Sequence, residues 1–156
     1  MKIGRVTLSD RAHAGIYADL SGPEIERVLR ECLDPLAEFV VRLLPDERQQ
    51  IESALIELSD SRHCDLIVTT GGTGPSPRDV TPEATLAVLE RELPGFGETM
   101  RSVSFAKVPT AILSRATAGT RGKTLVINLP GNPRAISECL PPLVPAIREC
   151  LKHLVE

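Results

Sequence analysis

Residues 65–70 (Asp-Leu-Ile-Val-Thr-Thr) constrain the fold more than any other stretch, because they are apolar and β-branched on both faces, with no polar alternation. Such a strand must be covered on both sides, which is the condition of a parallel sheet buried under helices. Residues 3–8 and 37–44 read as two more short strands. Between them the periodicity is helical. Ser21-Gly22-Pro23-Glu24 has capping-box spacing with proline near a helix start, and Ile25, Val28, Leu29 and Cys32 follow on one face. Pro45-Asp46 opens a second helix with Asp46 at the N-cap place, Gln49 three residues on, and Ile51, Leu55 and Leu58 on one stripe. The alternation β-α-β-α-β predicts an α/β fold: a three-layer α/β/α sandwich with a mostly parallel sheet.

The second half is less regular. Residues 71–80 form a loop rich in glycine and proline, and a helix is expected to start near Thr81-Pro82 with Thr81 as its cap. Residues 96–105 read as helical. Residues 110–120 and 123–129 are expected to pair as a hairpin around Thr120-Arg121-Gly122. Asn132-Pro133 caps a final helical region that Pro141, Pro142 and Pro145 must kink or divide.

At 156 residues, 42% apolar and 25% charged, the chain is expected to be one globular domain over residues 1–156. No apolar run approaches the roughly 20 residues of a membrane span, and the start lacks the apolar stretch of a signal peptide. The four cysteines form no CxxC pair, so a cytoplasmic protein with reduced thiols and no membrane partner is expected. Nucleic acid is disfavoured as a partner. The net charge is −3, and no Trp, one Tyr and three Phe leave little on which to stack bases. Charge is unevenly placed, however. No acid falls between Glu98 and Glu138, where Arg101, Lys107, Arg115, Arg121, Lys123 and Arg134 lie. This basic segment either faces an anion or pairs with carboxylates from elsewhere on the surface.

In open parallel sheets ligands bind beyond the carboxyl ends of the strands. Four segments leave strands that way: Ser9-Asp10-Arg11-Ala12, Pro45-Asp46-Glu47, residues 69–82, and Leu129-Pro130-Gly131-Asn132-Pro133. Gly71-Gly72-Thr73-Gly74 is either a tight turn or a cradle of backbone N–H groups for an anion. It is not a Walker loop, since no Gly-Lys-Ser/Thr follows, and it runs into Pro75-Ser76-Pro77 rather than a helix. Asp79 is either a turn residue or, with Asp46, one of two loop carboxylates suited to Mg²⁺ on a nucleotide triphosphate. Pro130-Gly131-Asn132 combines close backbone approach with a helix start. Ser9 and Asp10 either contact a ligand or merely end the first strand. His13, His63 and His153 stand alone, with no nucleophile arrangement around them.

Thr69-Thr70-Gly71-Gly72-Thr73-Gly74-Pro75 with Arg78-Asp79-Val80-Thr81-Pro82-Glu83-Ala84 resembles the signature of the molybdopterin-binding MogA/MoaB and gephyrin G-domain family. Ser9-Asp10-Arg11-Ala12, Pro45-Asp46-Glu47, Pro94-Gly95-Phe96-Gly97-Glu98, Leu113-Ser114-Arg115-Ala116 and Leu129-Pro130-Gly131-Asn132-Pro133 extend the likeness over essentially the whole chain, closest to the MogA subgroup. Pro77 stands where a second basic residue is usual, which spares Arg78 and Asp79. The resemblance implies adenylylation of molybdopterin by Mg-ATP, giving molybdopterin-AMP and pyrophosphate for later molybdate insertion. By the same resemblance Asp46 and Asp79 are the catalytic, metal-organising carboxylates. Ser9, Asp10, Gly71, Gly72, Thr73, Gly74, Pro130, Gly131 and Asn132 line the nucleotide and phosphate site, and Ser114 and Arg115 face molybdopterin. It also implies a homotrimer and hand-over to a molybdenum-inserting protein. A non-catalytic molybdopterin-binding or trimeric scaffold protein is the alternative.

Overall fold

A computed structural model describes residues 1–156. Its strands are β1 (Lys2–Leu8), β2 (Glu38–Leu44), β3 (Leu66–Thr70), β4 (Arg91–Glu92), β5 (Ala118–Arg121) and β6 (Thr124–Leu129). They form one six-stranded sheet in the order β2-β1-β3-β6-β5-β4. The pairs β1–β2, β1–β3 and β3–β6 are parallel, and the β6–β5–β4 edge is antiparallel.

Helices cover both faces because the strands are apolar on both. Ile3, Leu66, Val68, Leu125, Ile127 and Leu129 pack against α2 (Ser21–Cys32), α5 (Gly95–Phe105), α6 (Pro133–Cys139) and α7 (Val144–Val155). Residues at the alternate strand positions, Val6, Leu8, Val40, Ile67 and Val126, point the other way, against α3 (Arg48–Ile56) and α4 (Thr81–Val88). One polar group interrupts the core. Asn128 is fully buried, its amide donates to Thr69 Oγ1 at 3.0 Å and Thr85 Oγ1 at 2.9 Å, and its Oδ1 accepts the Thr117 N–H. Every capacity used makes this bridge of β3, β6 and α4 tolerable in an apolar layer, and register-specific.

The α/β/α sandwich is therefore the observed architecture, with several local corrections. Residues 110–117 are not a strand. Pro109–Leu113 is a short 3₁₀ turn, and the Arg115 N–H is drawn off to Thr73 O, so pairing begins only at Ala118. The hairpin turns at Gly122 and Lys123, one residue later than expected. The prolines do divide the last region, with a 3₁₀ turn at Pro141–Leu143 between α6 and α7. A single helical turn, α1 (Asp10–His13), precedes α2, and Ser9 caps it by accepting the Ala12 N–H. No helix is long and apolar enough to cross a membrane.

The register aligns the strand ends. Thr7 pairs with Thr70, Leu8 with Leu44, and Thr70 with Leu129, so β1, β2, β3 and β6 end at nearly one level. The chain crosses from β1 outward to β2 and back to β3, which makes the gap between the ends of β1 and β3 the topological switch point.

Candidate active site

At that switch point lies a cleft of about 370 Å³, lined among others by Thr7, Ser9, Asp46, Thr70, Gly71, Gly72 and Gly131. All four strand-leaving segments thus contribute to it. The glycine pair is required by the geometry. Gly71 has φ +94° and Gly72 φ +67°, both in the region that side chains avoid. A Cβ on Gly71 would run into the Leu8 carbonyl, and one on Gly72 into Thr81 and Asp46. The turn is tied down from α4: Thr81 Oγ1 donates to Gly71 O at 2.9 Å, and the Thr81 N–H donates to Gly72 O. Thr81 therefore anchors the loop and does not cap the helix as expected.

Asp46 is likewise not the N-cap that its position indicated. Its Oδ2 accepts the Asp10 N–H at 3.1 Å, while the Asp46 N–H donates to Asp10 Oδ1 at 3.0 Å. This reciprocal pair joins the ends of β1 and β2. Arg78 crosses from the glycine loop to close it, donating to both Asp10 oxygens and to Glu47 Oε1. The Arg78 guanidinium holds the Asp10 carboxyl below the usual carboxylate range. Asp46 goes the other way. Burial raises it, the Asp10 N–H partly offsets this, and the charges of Asp10 and Asp79 raise it further. Its Oδ1 is buried with no hydrogen-bond partner, an acceptor whose desolvation is uncompensated.

Asp79 stands over the far end of the same turn, where a Cβ on Gly74 would meet its Oδ2 at 2.8 Å. That oxygen also accepts the Ser76 N–H at 3.1 Å, so Asp79 is a turn residue; it does not line the cleft itself, though its charge is felt at Asp46. No group of three or more His, Cys, Asp or Glu gathers as a self-sufficient metal cage.

Pro130, Gly131 and Asn132 form the opposite wall. Thr70 Oγ1 donates to Pro130 O at 2.7 Å, Ser21 Oγ to Gly131 O at 2.6 Å, and Asn132 caps α6 by accepting the Arg134 N–H. Ser21 is thus committed to this loop, and the capping box read at α2 is not formed. Beyond the wall is a second groove of about 220 Å³, lined among others by Arg101, Ser104, Thr110, Ser114, Pro130 and Asn132. Ser114 lies there. Arg115 does not share it: its guanidinium donates to Gly74 O and Asp79 O and pairs with Glu83, while its N–H donates to Thr73 O. It clamps the glycine loop. Arg115→Ala is expected to raise proteolytic nicking within residues 73–80 more than it lowers the melting temperature, which limited proteolysis beside a thermal melt would register.

The basic segment resolves the same way. Arg121 pairs with Asp60, Lys107 and Arg134 pair with Glu138, and Arg101 donates to the carbonyls of Ser114 and Ala116. Most of its cations thus serve the protein's own acceptors, and none of them lines the first cleft. Sequence reasoning passed over Arg78 as a brace. It also missed Thr7, Tyr17 and Asp19, which line the cleft. The one usable signal was that Tyr17, the chain's single tyrosine, sits beside the Ser9-Asp10-Arg11-Ala12 motif.

Comparison with known proteins agrees with this geometry. The family model described as "Probable molybdopterin binding domain" matches residues 4–149. The molybdopterin adenylyltransferase of Helicobacter pylori (strain 26695) is 56% identical over 149 residues, covering 96% of this chain and 85% of that protein. A solved MogA structure superposes with TM-score 0.91 at 36% identity, covering 99% of each chain. The molybdopterin biosynthesis enzyme MoaB of Thermus thermophilus superposes with TM-score 0.89 at 42% identity, covering 98% of this chain and 95% of that one. Matched by that family model over most of its length and by these relatives, the chain belongs to the molybdopterin-binding MogA/MoaB and gephyrin G-domain family.

Proposed function

We propose that the chain is a molybdopterin adenylyltransferase of molybdenum cofactor biosynthesis. A terminal phosphate oxygen of molybdopterin attacks the α-phosphorus of ATP, the bond to the β-phosphate oxygen breaks, and pyrophosphate leaves. The nucleophile is already an anion, so the protein's task is to position two negatively charged reactants and offset their repulsion. The observation that carries this reading is the pair of grooves sharing the Pro130–Asn132 wall, in a chain 56% identical to a protein of that name. The first cleft, with the glycine turn, takes the nucleotide. The second, with Ser114, takes molybdopterin.

Within the first cleft, N–H groups of residues 71–74 face the phosphates, and Ser9 and Asp10 hold its edge beside Asp46. The donor set fits Mg²⁺: Asp46 Oδ1 is a buried oxygen acceptor without a donor, within the electrostatic reach of the like-charged Asp79, and hard cations take oxygen ligands. Two carboxylates make less than a full cage, which suits an ion that arrives on ATP with phosphate oxygens of its own. Asp46, with Asp79, would hold Mg²⁺, which would supply charge neutralisation at the phosphates. Residues 1–156 act as one domain in this reading. A cytoplasmic homotrimer that hands its product to a molybdenum-inserting protein belongs to the same proposal, by resemblance.

Mass spectrometry of molybdopterin incubated with the protein and Mg-ATP is expected to show the adenylylated product. Asp79→Asn is expected to remove it while keeping the fold, because the amide oxygen can still accept the Ser76 N–H. A protein that only binds or scaffolds would instead take up molybdopterin in calorimetry, give no magnesium-dependent ATP signal and yield no product.

A further inference from the structure

The loop between α1 and α2 carries three large apolar side chains in water: Ile16, Tyr17 and Leu20 are 71%, 52% and 69% exposed. Tyr17 and Leu20 line the first cleft, whose other contributors are mainly glycine and short polar side chains. The loop is firmly held. Asp19 accepts from Thr7 Oγ1 at 2.7 Å, Arg5 Nη1 at 2.9 Å and the Gly22 N–H at 2.9 Å. Arg5, itself nearly buried, also grips Glu26 through Nε and Nη2. The Tyr17 hydroxyl is fixed against Ser9 Oγ at 2.9 Å. The ring is thus anchored at its polar end while much of its surface is open.

A fixed, half-exposed aromatic beside a polar cradle matches a ligand that is flat and apolar at one end and anionic at the other. The chain's other aromatics do not offer this. Phe39 lies under the Arg30 guanidinium, Phe96 is buried, Phe105 is exposed on α5, and none of them lines the cleft. We propose that Tyr17 is the platform on which the heterocycle of the nucleotide packs, with Ser9 and the Asp19–Arg5 brace holding it in place. The assignment rests on the adenylyltransferase reading of the same cleft and adds the group that receives the base. Stacking on an aromatic side chain tolerates any base, so it supplies affinity, and the phosphate cradle supplies the register.

The composition makes a direct test possible. With one Tyr and no Trp, the protein's ultraviolet emission comes from Tyr17. Mg-ATP is expected to quench it along the same isotherm that calorimetry gives, and tripolyphosphate, which lacks a ring, is expected to leave it unchanged. Tyr17→Ala should weaken Mg-ATP binding about 5- to 150-fold, the range that losing one stacked base implies. Its affinity for tripolyphosphate should be unchanged, and Tyr17→Phe, which keeps the ring and loses only the Ser9 contact, should bind Mg-ATP more tightly than Tyr17→Ala does. The assignment is overturned if Tyr17→Ala binds Mg-ATP as tightly as the parent. Equal losses for Mg-ATP and tripolyphosphate, or a loss confined to molybdopterin, would overturn it too. If the parent binds Mg-ATP with quenching yet makes no adenylylated product, the catalytic reading fails and the stacking assignment stands.

Discussion

Asp46→Asn is expected to lower adenylyl transfer by about 10²- to 10³-fold, the scale of several kcal/mol of lost charge stabilisation, without lowering stability. The amide oxygen can still accept the Asp10 N–H, and the Asp46 N–H still donates to Asp10, so the joint between β1 and β2 survives. What disappears is the charge. In the folded protein the Asp46 carboxyl is raised by burial and by Asp10 and Asp79, so the native state holds the proton more readily than the unfolded chain does. A raised folded value means that this carboxylate opposes folding at pH above that value, and the opposition fades as pH falls through it. The melting temperature of Asp46→Asn at neutral pH should therefore equal or exceed the parent's, and the margin should shrink on acidification.

Asp10 behaves oppositely. Its carboxyl is held low by Arg78, so its support is complete above the ordinary carboxylate range and is lost only as pH falls through the lowered value. The acid limb of turnover should follow Asp46 rather than Asp10, and Mg²⁺ on the Asp46 carboxylate should move that limb to lower pH. Thermal melts paired with turnover across pH check all of this. Turnover near the parent's level in Asp46→Asn would remove the carboxylate from the mechanism, and a sharply lowered melting temperature would make its role structural.

The architecture was legible because the signal for it is local. A strand apolar on both faces needs two covering layers wherever it lies, and residues 65–70 state that without reference to the rest of the chain. The rim was legible as a set of loops, since each polar or glycine-rich segment directly follows an apolar run. Individual side chains at the rim were misread for one shared reason. Ser21, Asp46 and Thr81 all occupy places where helix-start chemistry normally takes a hydroxyl or carboxylate. In the folded protein their partners are Gly131, Asp10 and Gly71, residues that only the sheet order brings close. Local rules rank the nearest N–H group, and the tertiary partner wins when register sets it at hydrogen-bond distance. The same logic decides between the two readings of the basic segment in favour of pairing: the acids missing from residues 99–137 come from the turn after α3, from α4 and from α6, as Asp60, Glu83 and Glu138. The two-residue strand β4 is polar and exposed, and carried no pattern to read.

Gly71→Ala should be the most damaging small substitution at the rim, and a second glycine supplies its control. Gly122, in the β5–β6 turn, has φ +54°, and a Cβ there would meet nothing within 4 Å. Alanine at Gly122 therefore pays only for its backbone conformation, about 1–2 kcal/mol. Gly71 adds a collision to the conformation: φ is +94°, and the new methyl group would sit against the Leu8 carbonyl, which the strand pairing prevents from moving freely. Overpacking of that kind typically adds about 1–3 kcal/mol, so a total of about 2–5 kcal/mol is expected. The displacement would also be transmitted. Ser9 and Asp10 follow Leu8 directly, and Asp10 holds both Asp46 and Arg78, so relief at Gly71 must shift the carboxylates proposed to organise the phosphates. Turnover of whatever Gly71→Ala folds should fall by at least about tenfold, as misplacement of reacting groups by a fraction of an ångström does, and Gly122→Ala should keep the parent rate. Denaturant midpoints and turnover for the two variants separate the contributions. Equal loss of stability would show that the left-handed backbone alone sets the requirement, and an active Gly71→Ala would mean that the end of β1 is free to yield without disturbing the cleft.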